Sequence, residues 1–178
     1  MELPRMQSLN TSELFQLYKN SINPQIDPAL VPFLPDLRNA QGQGLLHVAN
    51  DAAAVEFLLS AGLDPNLADS RGRTPLMRLH SADNNRLLIQ AGADVNQCDE
   101  NGDTVLDHQT GSLLCCVGYC GPDYPALELL LESGAHPPSP ERAKLWIETA
   151  RHQVCSALEN NECQGFEKWV AGLLDRCR

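Results

Sequence analysis

Apolar residues recur along this chain in short bursts, and the bursts return in register. Leu58-Leu59-Ser60-Ala61-Gly62-Leu63-Asp64-Pro65-Asn66-Leu67-Ala68-Asp69 comes back as Leu88-Ile89-Gln90-Ala91-Gly92-Ala93-Asp94-Val95-Asn96-Gln97-Cys98-Asp99, at a fixed offset of 30 with six of the twelve pairs identical. Gly42, Gly72 and Gly102 keep that offset, and Thr74-Pro75-Leu76 and Thr104-Val105-Leu106 stand just behind two of them. A fixed period of this size predicts stacked supersecondary units, each resting on its neighbours, rather than one closed core. Leu58, Leu59, Leu87, Leu88, Leu130 and Leu131 are expected to face neighbouring units. Gly62, Gly92 and Gly134 follow these leucines and suit a left-handed helix stop that other residues resist. Thr74-Pro75 predicts a helix start, because a proline in the first turn loses an N–H that would have no partner anyway.

The ends of the chain follow other patterns. Leu14, Phe15, Leu17, Tyr18 and Ile22 form one apolar face and predict a helix over 9–22. Asn10 can cap it, Glu13 completes a capping box, and Leu9 and Leu14 can close a hydrophobic staple. Pro24, Pro28, Pro32 and Pro35 then leave room for at most a short helix from Asp27-Pro28. At the other end Pro137-Pro138-Ser139-Pro140 stops the repeat, and Ser139 is expected to cap a new helix. Ala143, Trp146, Ile147, Ala150, Val154, Ala157 and Leu158 carry that helix, and Phe166, Trp169, Val170, Leu173 and Leu174 a last one. This pair reads as a cap on the last repeat, with a dimerisation hairpin as the competing reading.

The repeat motifs resemble those of the ankyrin repeat family. Gly72-Arg73-Thr74-Pro75-Leu76 through Ala91-Gly92-Ala93-Asp94-Val95-Asn96 carries the resemblance most closely. Gly42-Gln43-Gly44-Leu45-Leu46-His47-Val48-Ala49 keeps the His and Ala but has Gly-Leu where the family has Thr-Pro. The third unit opens at Gly102-Asp103-Thr104-Val105-Leu106-Asp107 and closes at Leu130-Leu131-Glu132-Ser133-Gly134-Ala135. The resemblance implies an all-α, ankyrin-type helix-turn-helix solenoid with short hairpin loops and helical caps. Its expected organisation is an N-terminal cap over 1–35, three repeats over 36–137, and a two-helix C-terminal cap over 138–178. The family period is about 33 residues, so the first two units have lost close to one helical turn. The third carries extra residues, placed as an insertion at about 109–125.

Composition narrows the function classes. The net charge of −10 disfavours nucleic acid as a partner, since such binders present a basic face. An acidic surface attracts basic partners. No secretory signal pattern and no membrane-length apolar run stands out, so a cytoplasmic protein is expected, and its seven cysteines are expected to be reduced thiols. Cys115, Cys116 and Cys120 with His108 invite a metal reading, but the adjacent cysteines are expected to point in different directions and no matching second pair exists. Cys155 with His152 lacks an orienting third group for nucleophilic catalysis. No metal, cofactor or catalytic residue is therefore assigned.

The expected function is a non-enzymatic protein–protein interaction module, either an adaptor or an inhibitor, with the oligomeric state open and a monomer favoured. An immunity-type protein that neutralises a toxin or an enzyme is the main alternative. A metal or thiol protein built on the cysteine-rich insertion comes after it, and an effector delivered into a host cell is not separable by sequence. By the resemblance, the partner meets hairpin tips and first-helix faces. At the tips these are Gln41, Gln43, Ser70, Arg71, Arg73, Glu100, Asn101 and Asp103. First-helix positions add Asn50, Met77, Arg78, His80, Asp107 and His108, and Tyr119 and Tyr124 of the insertion are candidate anchors. The strip runs from neutral through basic to acidic, which calls for a partner of matching polarity.

Overall fold

Each repeat opens on a loop closed by one side chain. Asn39, Asp69 and Asp99 stand at the repeat offset, and each accepts hydrogen bonds through Oδ1 from the second and fourth backbone N–H that follow. Each backbone N–H in turn donates to the carbonyl four residues on: Asn39 to Gln43 at 3.0 Å, Asp69 to Arg73 at 2.9 Å and Asp99 to Asp103 at 2.9 Å. Such a closure needs one left-handed residue, and Gly42, Gly72 and Gly102 supply it at φ of 71°, 76° and 78°.

The computed structural model describes residues 11–19, 31–79, 81–109, 124–137, 139, 141, 142, 144, 145 and 148. All regular elements among them are helical, with no strand. The chain forms two compact units, Met1–Asp94 and Val95–Arg178. The expected Asn10 cap, Leu9 staple, Cys115, Cys116, Cys120 and final C-terminal helix lie outside the described residues.

In the first unit, helix α1 spans Thr11–Lys19 and buries Phe15 and Tyr18. The Tyr18 hydroxyl has no hydrogen-bond partner among the described residues, and burial pushes its pKa up to about 12. A 3₁₀ turn at Val31–Asp36 follows despite its prolines, with Leu34 buried. The first repeat then makes a 3₁₀ turn at Leu45–His47 and helix α2 at Ala52–Ser60. The second makes a 3₁₀ turn at Pro75–Met77 and helix α3 at Ala82–Gln90. The expected first helices are thus single 3₁₀ turns, and that is where these short repeats lost their residues. Asp51 caps α2 by accepting from Ala54 N–H, and Ser81 caps α3 by accepting from Asn84 N–H.

α2 packs on α3, and each helix packs on the turn of its own repeat. Leu58 and Leu88 are fully buried at equivalent positions. Full burial of such a leucine contributes about 1.5–3 kcal/mol. Both helices stop as the glycines predicted. Gly62 N–H donates to Leu59 O at 3.0 Å and Leu63 N–H to Leu58 O at 3.2 Å, and Gly92 and Ala93 repeat this on Ile89 and Leu88 at 3.0 and 2.9 Å. The α3 face holds a surprise: Asn84 and Asn85 are buried where α2 has Ala54 and Val55. Asn84 Nδ2 donates to Asn50 O at 3.2 Å, so it links the second repeat to the first.

Two further contacts set the spacing of these repeats. Asn66 Nδ2 donates to Gly92 O at 2.9 Å while its Oδ1 accepts from Asp94 N–H at 2.7 Å. At the tips, Ser70 N–H and Oγ both donate to Gln41 O, at 3.0 and 2.7 Å. The fit also bears on Gly44, the first residue of the Gly-Leu variant. A Cβ on Gly44 would lie 2.6 Å from Leu67 Cδ2, so a threonine cannot stand there without displacing that leucine.

The second unit holds the Asp99 loop, a helical stretch at 105–109 and helix α4 at Tyr124–Glu132. Gly134, at φ 88°, stops α4 as Gly62 stops α2. Asn96 repeats the role of Asn66: its Nδ2 donates to Gly134 O at 3.1 Å and its Oδ1 accepts from His136 N–H at 3.0 Å. Ser139 caps the helix beyond as expected, accepting from Arg142 N–H at 3.1 Å.

Candidate functional site

The tip loops leave some side chains to solvent and consume others. In the first unit Gln41, Asn50, Ser70, Arg71 and Arg78 are exposed. In the second unit Glu100 and Asn101 are exposed. Asn50 Nδ2 donates to Lys19 O at 3.0 Å and Ser70 Oγ is committed to Gln41, so these two also serve the fold. Gln41, Arg71 and Arg78 have no such side-chain commitment among the described residues.

Two expected strip residues are instead interior. Met77 is 2% exposed because its 3₁₀ turn faces the packed helices, and Gln43 is 7% exposed because its Oε1 accepts from Asn39 Nδ2 at 2.9 Å. Neither offers a partner much surface. Four more are tied to the fold. Arg73 donates through Nε and Nη2 to Asp69 Oδ2 at 3.0 and 2.7 Å. His108 Nε2 lies 3.0 Å from Asp99 Oδ2. Asp107 Oδ2 accepts from Thr104 N–H and Oγ1 at 2.8 and 3.0 Å, and its Oδ1 accepts from Arg142 Nε at 3.0 Å. Arg142 Nη2 pairs with Asp103. His80 and Tyr119 lie outside the described residues. Tyr124 opens α4, and its side chain lies outside them too.

The electrostatics follow from these pairings. Burial alone would raise the pKa of Asp69, but the Arg73 guanidinium and the N–H groups of Arg71 and Arg73 outweigh it and hold the carboxyl below its usual range. Asp69 and Arg73 therefore form a closed, neutral pair, with the Asp69 side chain 0% exposed. Burial pushes the His47 imidazole below its ordinary range, against its hydrogen bond to Arg73 O and the charge of Asp69. Its Nδ1 accepts from Gly44 N–H at 3.1 Å, so Nε2 carries the proton and donates to Arg73 O at 2.9 Å.

Asp99, Asp103 and His108 bring one potential ligand atom each within 4.8 Å of one another. A cation is already in place, because the Arg142 guanidinium sits on Asp103 and on the adjoining Asp107. The cluster reads as an anchor for the helix that Ser139 caps. Sequence reasoning missed this role for Arg142, since nothing in a lone arginine of a capping helix marks the distant carboxylates it will meet.

No helix among the described residues is long and apolar enough to cross a membrane. No family model matches the chain. Over 38 residues it is 53% identical to a protein of Pyrobaculum aerophilum whose name assigns it provisionally to the ankyrin repeat proteins. That stretch covers 21% of this chain and 15% of the relative. The family unit is about 33 residues long, so the likeness suggests ankyrin-like repeats over little more than one unit.

Proposed function

We propose that this chain is a non-enzymatic protein-binding module of ankyrin type, with three repeats over 36–137 between helical caps. The supporting observation is a division of labour at the tips. The same loop closure recurs at Asn39, Asp69 and Asp99 and is made by backbone, glycine and one buried or half-buried side chain. Gln41 and Arg71 project from loops that do not need their side chains, and Arg78 follows the turn of the second repeat. Residues placed on a rigid frame, and free of a structural duty, are what a recognition surface requires. The interior placement of Gln43 and Met77 and the pairing of Arg73 narrow the surface in the first unit to Gln41, Arg71 and Arg78, with Ser70 and Asn50 exposed but committed to the fold. Glu100 and Asn101 are the corresponding positions of the second unit.

Affinity capture from the source cell followed by mass spectrometry tests this reading. Wild-type protein is compared with Gln41→Trp/Arg71→Trp, which adds bulk at the tips without touching the loop closures. The partner recovered by wild type is expected to be lost by the variant, with the thermal unfolding midpoint unchanged. Equal recovery by a folded variant would remove the tips from the account. A single tight partner would mark an inhibitor of immunity type, and several weaker partners an adaptor.

A further inference from the structure

The first unit is electrostatically lopsided in a way that bears on what it binds. From Asn39 to Asn50 no side chain is charged apart from the option of His47, which burial keeps neutral. From Asp69 to Leu79 the charged residues are Asp69, Arg71, Arg73 and Arg78. Asp69 and Arg73 neutralise each other inside the loop. Arg71 and Arg78 remain, both exposed and neither in an ion pair among the described residues. Of the unit's other described carboxylates, Asp51 caps α2, Asp64 Oδ1 accepts from Asn66 N–H and Asp83 pairs with Arg86, while Glu13, Asp36, Glu56 and Asp94 lie exposed elsewhere along the chain. In a chain of net charge −10, the hairpin edge of the second repeat thus carries two exposed arginines that no ion pair among the described residues neutralises.

We infer that this edge takes an acidic segment of the partner protein, an extended run containing Asp or Glu, through Arg71 and Arg78. The inference rests on the protein-binding reading above and names the partner chemistry at the same surface. Arginine suits the task, since its planar fork can grip a carboxylate with two parallel N–H donors. Arg71 sits in a loop whose backbone is fixed by Asp69, and Arg78 closes a 3₁₀ turn by donating its N–H to Pro75 O at 2.9 Å, so both cations stand on rigid supports. Gln41 lies exposed on the adjoining tip, where Ser70 joins the two loops, and offers a neutral amide beside the charges. A nucleic acid is the less favoured polyanion. Long phosphate chains need many cations in a stripe, and here the rest of the chain repels them. A short acidic segment avoids that repulsion, because the field is screened beyond about 8 Å at physiological salt.

Titration of ¹⁵N-labelled full-length protein with a Glu-rich peptide, followed by amide chemical shifts, tests the assignment. Shifts are expected at residues 71–79, fading at high salt, and absent with a Lys-rich peptide of equal length. Arg71→Gln/Arg78→Gln should weaken the peptide by about tenfold, and Arg71→Lys/Arg78→Lys should recover part of the loss. Absent shifts at 71–79, equal shifts from the Lys-rich peptide, or stronger binding of a single-stranded oligonucleotide at the same amides would overturn the inference. In the capture assay, Arg71→Gln/Arg78→Gln should lose the partner just as the tryptophan variant does. If bulk at the tips abolishes capture but charge removal does not, the acidic segment is wrong and protein binding at the tips stands. If neither change affects capture, both fall.

Discussion

The Asp69 loop of the first unit and the Asp99 loop of the second share a backbone and differ in almost everything attached to it. Both close on an aspartate Oδ1 and a left-handed glycine, with N–H to O distances of 2.9 Å. Around Asp69 the second oxygen is neutralised by Arg73 from within the loop, whereas around Asp99 it meets His108 from the helical stretch that follows. Arg71 is exposed at one tip, with no side-chain partner among the described residues, and Glu100 and Asn101 occupy the other. The contrast extends to the position that follows at the same offset. His47 bridges to the next loop, Met77 fills the interior, and Asp107 caps its own helix and receives Arg142. A frame that closes through few side chains leaves the others able to vary, and charge identity is therefore a property of each tip rather than of the fold.

The strongest way to sharpen this comparison is to remove each closing carboxylate. Asp69→Ala strips partners from two backbone N–H groups and leaves the half-buried Arg73 charge uncompensated, and should cost about 3 kcal/mol in urea unfolding. Asp99→Ala loses the same backbone bonds but frees only an imidazole, and should cost less, about 1–2 kcal/mol. Equal losses would mean that the Arg73 pair adds nothing beyond the loop closure.

Glycine replacement separates the tips next. Gly102→Ala meets no atom of the described residues within 4 Å and should cost about 1–2 kcal/mol for its left-handed backbone alone. Gly42→Ala should cost more, because its Cβ would lie 2.9 Å from Ser70 N, where the two tips join. A thermal midpoint that falls no further for Gly42→Ala would show that the tip junction yields easily.

How far the sequence announced all this depends on whether a feature is local. The period, the helix stops at Gly62, Gly92 and Gly134 and the Ser139 cap were legible, because each is a short-range backbone requirement written in one or two residues. The reduction of the first helices to 3₁₀ turns was not: Thr74-Pro75 marks a helical start equally well for three residues or for nine. Met77 looked like a surface residue from its register, and only packing shows that its short turn faces inward. Arg73, Asp107 and His108 looked available because their partners, Asp69, Arg142 and Asp99, are fixed by folding. Nothing local marks Asn84 for the interior, yet it is buried against the Asn50 carbonyl of the preceding repeat.

Acid should distinguish the repeats more gently. The unfolded chain takes up a proton at His47 near its ordinary pKa of 6.5, while the buried imidazole resists it. Its contribution is fully present above that pH and is lost as pH falls below it. Met77 and Asp107 hold the equivalent positions, so this loss belongs to the first repeat. Unfolding midpoints taken down from neutral pH should converge between wild type and His47→Gln as the solution is acidified. Parallel curves would show that the imidazole is protonated without cost. The smallest stability effect is expected of Arg71→Glu/Arg78→Glu, within about 0.5 kcal/mol of wild type, because neither side chain has a partner among the described residues.

Hydrogen exchange with and without the captured partner puts the whole reading at risk in one measurement. The account predicts slower exchange in peptides covering 39–50 and 69–79, with α2 and α3 unchanged. Protection confined to α2 and α3, with the tip peptides unaffected, would contradict it.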